Sequence, residues 1–150
     1  MSLKERLDKD LKEAMLSGDK VLTTTLRGIK SVILYAEVEQ GSRNNGLKDD
    51  MVVSLLQKEA KKRLESAEMY KQGGRQDKAD AELIEREVIM NYLPEQMTED
   101  EIISIINKAV SDSGGSSKDM GKIIGIVKQQ TGAKADGSVI ARLVKERLSL

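Results

Sequence analysis

The chain has 150 residues, with 25 Lys plus Arg balanced by 25 Asp plus Glu, and contains no Cys, His, Phe or Trp. Without Cys there is no disulfide, thiolate metal site or thiol nucleophile. Without His there is no Ser-His-Asp chemistry, no imidazole proton transfer near neutral pH and none of the commonest zinc ligands.

A plausible capping box, Ser2 with Glu5, opens the first predicted helix. Leu3, Leu7, Leu11 and Met15 follow at helical spacing until Ser17-Gly18-Asp19 stops it. Asp19 then caps the second helix, whose stripe is Leu22, Leu26, Ile29, Ile33 and Ala36, and GSRNNG after it reads as a mobile polar loop. The third begins at Asp49 or Asp50 and runs Val52, Leu56, Ala60, Leu64, Ala67 and Tyr70 to Gly73-Gly74. A fourth places Ala81, Ile84, Val88 and Tyr92 on its apolar face before Pro94, the single proline.

Thr98 with Glu101 caps the fifth helix, through Ile102, Ile103, Ile106 and Val110 to SDSGGSS. Ser117 or Asp119 starts the sixth, carrying Ile123, Ile124 and Val127 to Gly132. Asp136 caps the seventh, which buries Val139, Ile140, Leu143, Val144 and Leu148. The expected fold is all-α: an N-terminal four-helix domain over residues 1–94 and a C-terminal three-helix module over residues 95–150. No internal repeat and no strand-like alternation is present. No uninterrupted apolar run approaches the ~18 residues that cross a bilayer. The start MSLKERLDKDLK lacks the apolar segment of a signal peptide, so a soluble, cytoplasmic protein with no membrane partner is expected.

A neutral chain has no overall field to hold a polyanion, so any such binding must come from local asymmetry. Residues 95 to 112 carry five acids against one Lys, and residues 118 to 150 carry seven basic groups against three acids. Among candidate chemistries, Glu82 and Glu85 lie one turn apart and suggest acid-base work or a divalent cation. An ordinary Glu82 to Arg86 pair on a solvated face is the plainer reading. Lys58, Lys61, Lys62 and Arg63 cluster on the third helix, interleaved with Glu59, Glu65 and Glu68 as a surface ion-pair network. Gly121 and Gly125 cost their helix about a kilocalorie each unless close packing or a ligand needs the missing side chain, and close helix packing is the first reading. MGKIIG lacks the spacing and Lys-Ser/Thr ending of a phosphate loop. In KADGS, a helix starting at Gly137 after Asp136 presents backbone amides and a positive dipole end beside Lys134.

Several of these words occur together in one known family. Arg75, Asp77, Ala79, Glu82 and Glu85 fit R-x-D-x-A-x-x-E-x-x-E, and Tyr92, Leu93 and Pro94 fit YLP. Met120, Gly121, Lys122, Gly125, Ala135, Asp136, Gly137 and Val144 fit the C-terminal pattern. With these motifs the chain resembles the GatB/YqeY family over essentially its whole length, with Lys78 standing where an apolar residue is expected. The resemblance implies a two-part helical fold. It also implies kinship with the C-terminal tail of the B subunit of the tRNA-dependent amidotransferase that converts misacylated Glu-tRNA or Asp-tRNA, a tail that helps engage the tRNA. Catalysis there belongs to parts absent here, so no catalytic residue is carried over.

The leading expectation is a non-catalytic, tRNA-associated accessory module with no metal or cofactor. Lys118, Lys122, Lys128, Lys134, Arg142 and Lys145 would contact phosphates, and backbone near Gly137 would supply anion donors. No aromatic residue lies in the second domain, so folded RNA, rather than unstructured RNA or DNA, is the expected partner. Two alternatives stand beside it. One is an amidotransferase-like enzyme, a carbon-nitrogen ligase with glutamine as amido donor or a tRNA amidase. The other is a helical adaptor that docks a protein partner through exposed Met and Leu side chains.

Overall fold

The computed structural model describes residues 1–42, 44, 46–114 and 117–148. Parts of the GSRNNG and SDSGGSS segments, at 43, 45, 115 and 116, lie outside the described residues, as do 149 and 150. The described residues form seven α-helices and two short 3-10 turns, with no strand among them: α1 Leu3–Ser17, α2 Lys20–Glu39, α3 Asp49–Gln72, α4 Gln76–Met90, α5 Glu99–Ser113, α6 Met120–Thr131 and α7 Gly137–Arg147. They separate into two compact units, Met1–Leu93 and Pro94–Leu150.

Local chemistry sets the helix ends in the first unit. The Ser2 hydroxyl accepts from the Glu5 amide while the Glu5 carboxylate accepts from the Ser2 amide, and Gly18 closes α1 in the left-handed conformation at φ 75°. Asp19 accepts from the Leu22 amide at the start of α2. α3 opens at Asp49, one of the two expected starts, although its cap residue Lys48 makes no side-chain capping bond. Asp49 instead accepts from the Leu3 amide at 3.0 Å and so ties α3 to α1. The core joins Leu7, Leu26, Ile29, Ile33, Val52, Leu56, Ile89 and Tyr92.

Some positions on the expected stripes face out: Met15 is 52% exposed, Leu64 48%, Ile84 54% and, in the second unit, Ile103 37%, and Ala81 is exposed as well. The largest departure is α4, whose buried residues are Ala79 and Ile89 while Ala81 is exposed. The helix is turned so that Glu82 and Glu85, rather than Ala81 and Ile84, face α3. On that side they meet Arg63 of α3, whose Nε lies 3.0 Å from Glu85 Oε2 and 3.8 Å from Glu82 Oε2. Its Nη1 donates to Glu59, itself only 7% exposed, at 3.3 Å. Glu82 therefore pairs across helices and not with Arg86. Lys78, exposed, sits over the Tyr70 ring at 5.6 Å.

A second polar group is buried in this unit. Glu37 on α2 is 1% exposed and takes Lys4 Nζ at 2.9 and 2.8 Å and the Leu47 amide at 3.0 Å. Tyr92 donates to Asp10 at 2.6 Å beneath the Arg6 guanidinium, 4.7 Å from its ring. Burial first, then the bond to Asp10, raises the Tyr92 pKa above its ordinary value.

In the second unit Ile102, Ile106, Val110, Ile123, Val127, Ile140, Leu143 and Val144 form the core between α5, α6 and α7. The Thr98 hydroxyl accepts from the Glu101 amide, and Gly114 ends α5 at φ 82°. Residues before α5 are fixed by the loop between α6 and α7: the Met97 amide donates to Lys134 O at 2.8 Å and Gln96 Nε2 to Ala133 O at 3.1 Å.

Candidate nucleic-acid interface

The cationic residues of the second unit fall into two kinds. Arg142 is committed: it pairs with Glu99 on α5, and its Nη1 lies 3.1 Å from Glu146 one turn on. These bonds, Glu99 first, hold its pKa above the ordinary value. Arg147 similarly donates to Asn107 at 2.8 Å, so α7 is clamped to α5 by two guanidinium groups. By contrast Lys118, Lys122, Lys128, Lys134 and Lys145 are all exposed, and none forms an ion pair among the described residues.

α6 organises two of these lysines. Ile123 and Val127 turn its apolar side to the core, which leaves Gly121, Lys122, Gly125, Lys128 and Gln129 on the outer half of the helix. A Cβ placed on Gly121 or on Gly125 meets nothing within 4 Å. Close helix packing, the first reading of this pair, is therefore not what the structure has: among the described residues no neighbouring helix uses the missing side chains. They form a strip of bare, solvent-facing backbone, with Lys122 and Lys128 on its two sides at helical spacing.

Lys128 also reaches the start of α7. A Cβ on Gly137 would lie 3.1 Å from Lys128 Cε and 3.3 Å from its Nζ, so the absence of a side chain at Gly137 makes room for the ammonium. Asp136 occupies the same corner, where its Oδ1 accepts the Ser138 amide at 2.8 Å and the Ser138 hydroxyl at 2.9 Å. The corner thus holds a capping carboxylate, a free ammonium and the positive end of an 11-residue helix. Lys128 and Gly137 were each legible in the sequence, but their contact was not. Among the described residues no hydrogen bond or ion pair brings the side chains of Lys118, Lys134 or Lys145 to this corner.

Elsewhere the carboxylates that suggested acid-base chemistry are engaged. Glu82 and Glu85 are ion-paired to Arg63; Asp77, a residue of the same motif, pairs with Arg75 at 3.3 Å. The Arg75 bond, then the Lys78 amide, lowers the Asp77 pKa. Among the described residues no group of three or more Asp and Glu is arranged to hold a metal ion.

The sequence pattern of the YqeY-like protein family matches residues 4–148. The chain belongs to the YqeY-like family. Curated relatives share one name, "Altered inheritance of mitochondria protein 41, mitochondrial". The protein of Pyrenophora tritici-repentis is 26% identical over 144 residues, covering 94% of this chain and 78% of the relative. That of Lachancea thermotolerans is 34% identical over 87 residues (58% of this chain, 46% of the relative), and that of Clavispora lusitaniae 33% over 92 residues (61% and 52%). The matches to these last two span about half of each relative's length. The YqeY-like motifs have structural places here: the Glu82 and Glu85 pattern binds α4 to α3, Tyr92 of YLP is locked to Asp10, and the MGKIIG glycines form the bare strip on α6. No described helix is long and apolar enough to cross a membrane.

Proposed function

We propose that this YqeY-like chain is a non-catalytic accessory module of tRNA metabolism, which grips folded RNA through the outer side of α6 and the start of α7. The observation that carries the reading is the exposed Gly121–Gly125 strip between Lys122 and Lys128. It accounts for two helix-weakening glycines that packing leaves unexplained. A sugar-phosphate backbone can approach bare helix backbone closely, with an ammonium on either side to neutralise it. Lys118, Lys134 and Lys145 extend the basic surface, while Arg142 serves to hold α7 on α5. Phosphate contacts of this kind position a folded RNA by shape and carry no base code, which suits a unit without a single aromatic residue. The engaged state of Glu82 and Glu85 favours this reading over an amidase or ligase. On this reading the chain acts in the cytoplasm, and the mitochondrial relatives would meet their own compartment's RNA.

Photochemical crosslinking of the full chain to tRNA, followed by peptide mapping, tests the site. Crosslinks concentrated in residues 118 to 138 support it. Crosslinks confined to Met1–Leu93, or none at low salt, refute it.

A further inference from the structure

α2 carries a face that the monomer does not explain. Val21 (51% exposed), Thr24, Gly28 and Tyr35 (75% exposed) fall within about 60° of one another around the helix. Gly28 sits mid-way along a 20-residue helix, where glycine costs about 0.5–1 kcal/mol relative to alanine. A Cβ there would meet nothing within 4 Å, so no contact among the described residues requires its absence. Next to Val21 and Thr24, the side chains of Ala81 and Ile84 on α4 wall a shallow apolar hollow of about 290 Å³. Tyr35 is an exposed aromatic knob on the same face, roughly four turns or about 21 Å further along α2.

Knob and hollow are placed symmetrically about Gly28, which is the midpoint in sequence between Val21 and Tyr35. We infer that two copies of this chain pair through antiparallel α2 helices crossing at Gly28, each inserting Tyr35 into the hollow between Val21 and Ile84 of the other. A two-fold axis demands such self-complementarity, since whatever one copy projects the other must receive at the mirrored position. The glycine at the axis lets the two helix backbones approach. Charge agrees with the direction: α2 begins with Lys20 and ends with Glu39, so the antiparallel arrangement sets the lysine of each copy within a turn of the glutamate of the other. A parallel pair would place like charges together. The exposed face from Val21 to Val38 is about 26 Å long, which together with the hollow gives less than the ~800 Å² per partner of a standard interface. The dimer is therefore reversible and concentration-dependent. This inference is independent of the RNA reading, which concerns the other unit.

The cysteine-free sequence makes a clean test possible. Thr24→Cys with Val32→Cys sets a thiol of each copy opposite one of the other on either side of the axis and leaves Gly28 in place, and the two are about 12 Å apart within one helix, too far to pair with each other; Gly121→Cys, on an exposed helical glycine of the other unit, reports random collision. Under mild oxidation at tens of micromolar protein, Thr24→Cys/Val32→Cys is expected to form disulfide-linked dimers about tenfold faster than Gly121→Cys, because pairing raises the local thiol concentration. Tyr35→Glu in the Thr24→Cys/Val32→Cys background is expected to return the rate to that of the control. Since Tyr35 is exposed, circular dichroism will show the fold unchanged. Equal rates for the two cysteine variants, or no slowing by Tyr35→Glu, would overturn the inference.

Discussion

Glu37 and Lys4 offer the sharpest test of the first unit's packing, because their exposures differ. Glu37 is 1% exposed and accepts from Lys4 and from the Leu47 amide, while the Lys4 side chain is 34% exposed. Lys4→Met strands a buried carboxylate that keeps only one amide donor. Breaking a buried pair in this way costs about 3–5 kcal/mol, and the depth of Glu37 puts this variant within that range. Glu37→Leu strands instead an ammonium that can swing into water, together with one buried amide, so about 2 kcal/mol is expected. The double variant, Lys4→Met with Glu37→Leu, removes both charges and is expected to recover to within about 1–2 kcal/mol of wild type. Urea unfolding of all four proteins followed by circular dichroism measures the cycle. The reasoning fails if Glu37→Leu costs more than Lys4→Met, or if both single variants lie within about 0.5 kcal/mol of wild type, as a surface pair would.

Replacing Gly125 by Ala is expected to raise the stability of the second unit by about 0.5–1 kcal/mol, since the Cβ meets open space, while Gly125→Leu is expected to weaken RNA binding; a fall in melting temperature for the alanine variant would contradict the first part. Arg63→Met is expected to cost about 1–3 kcal/mol and to increase hydrogen exchange in α4 more than in α1, because three carboxylates lose their shared partner. Tyr92 has a raised pKa in the folded protein, so its contribution to stability is complete below the unfolded value of about 10 and declines as pH climbs past it, by up to about 1.4 kcal/mol per pH unit. Melting temperatures from pH 9 to 11 should thus fall more steeply for wild type than for Tyr92→Phe, and parallel curves would refute the assignment.

Helix ends marked by short-range chemistry were legible: Ser2 with Glu5, Asp19, Thr98, Asp136 and Gly18 all cap or close helices as their types predict. The facing of α4 was legible only toward its C-terminal end, where Val88 and Tyr92 join the core as their spacing predicts. Toward its start, Ala81, Leu83 and Ile84 are spread around the helix and leave the buried side ambiguous, and the ion pairs of Glu82 and Glu85 depend on Arg63, a residue of another helix. Buried Glu37 and Glu59 were hidden for the same reason: a glutamate reads as surface until the lysine or arginine that neutralises it is placed beside it. At the candidate interface the individual lysines were readable, but the exposed state of Gly121 and Gly125, the reach of Lys128 to Gly137 and the capture of Arg142 by Glu99 depend on how α5, α6 and α7 pack.

Salt titration of tRNA binding tests the central claim most directly. With three to five phosphates neutralised by the lysines of the second unit, log affinity should fall against log salt with a slope of roughly two to five for the wild-type full chain. Lys122→Ala with Lys128→Ala should reduce that slope by about two, and Arg142→Ala, whose guanidinium is already paired, should change it by less than about one. Binding that is independent of salt, or a slope unchanged in the double-lysine variant, would contradict the account.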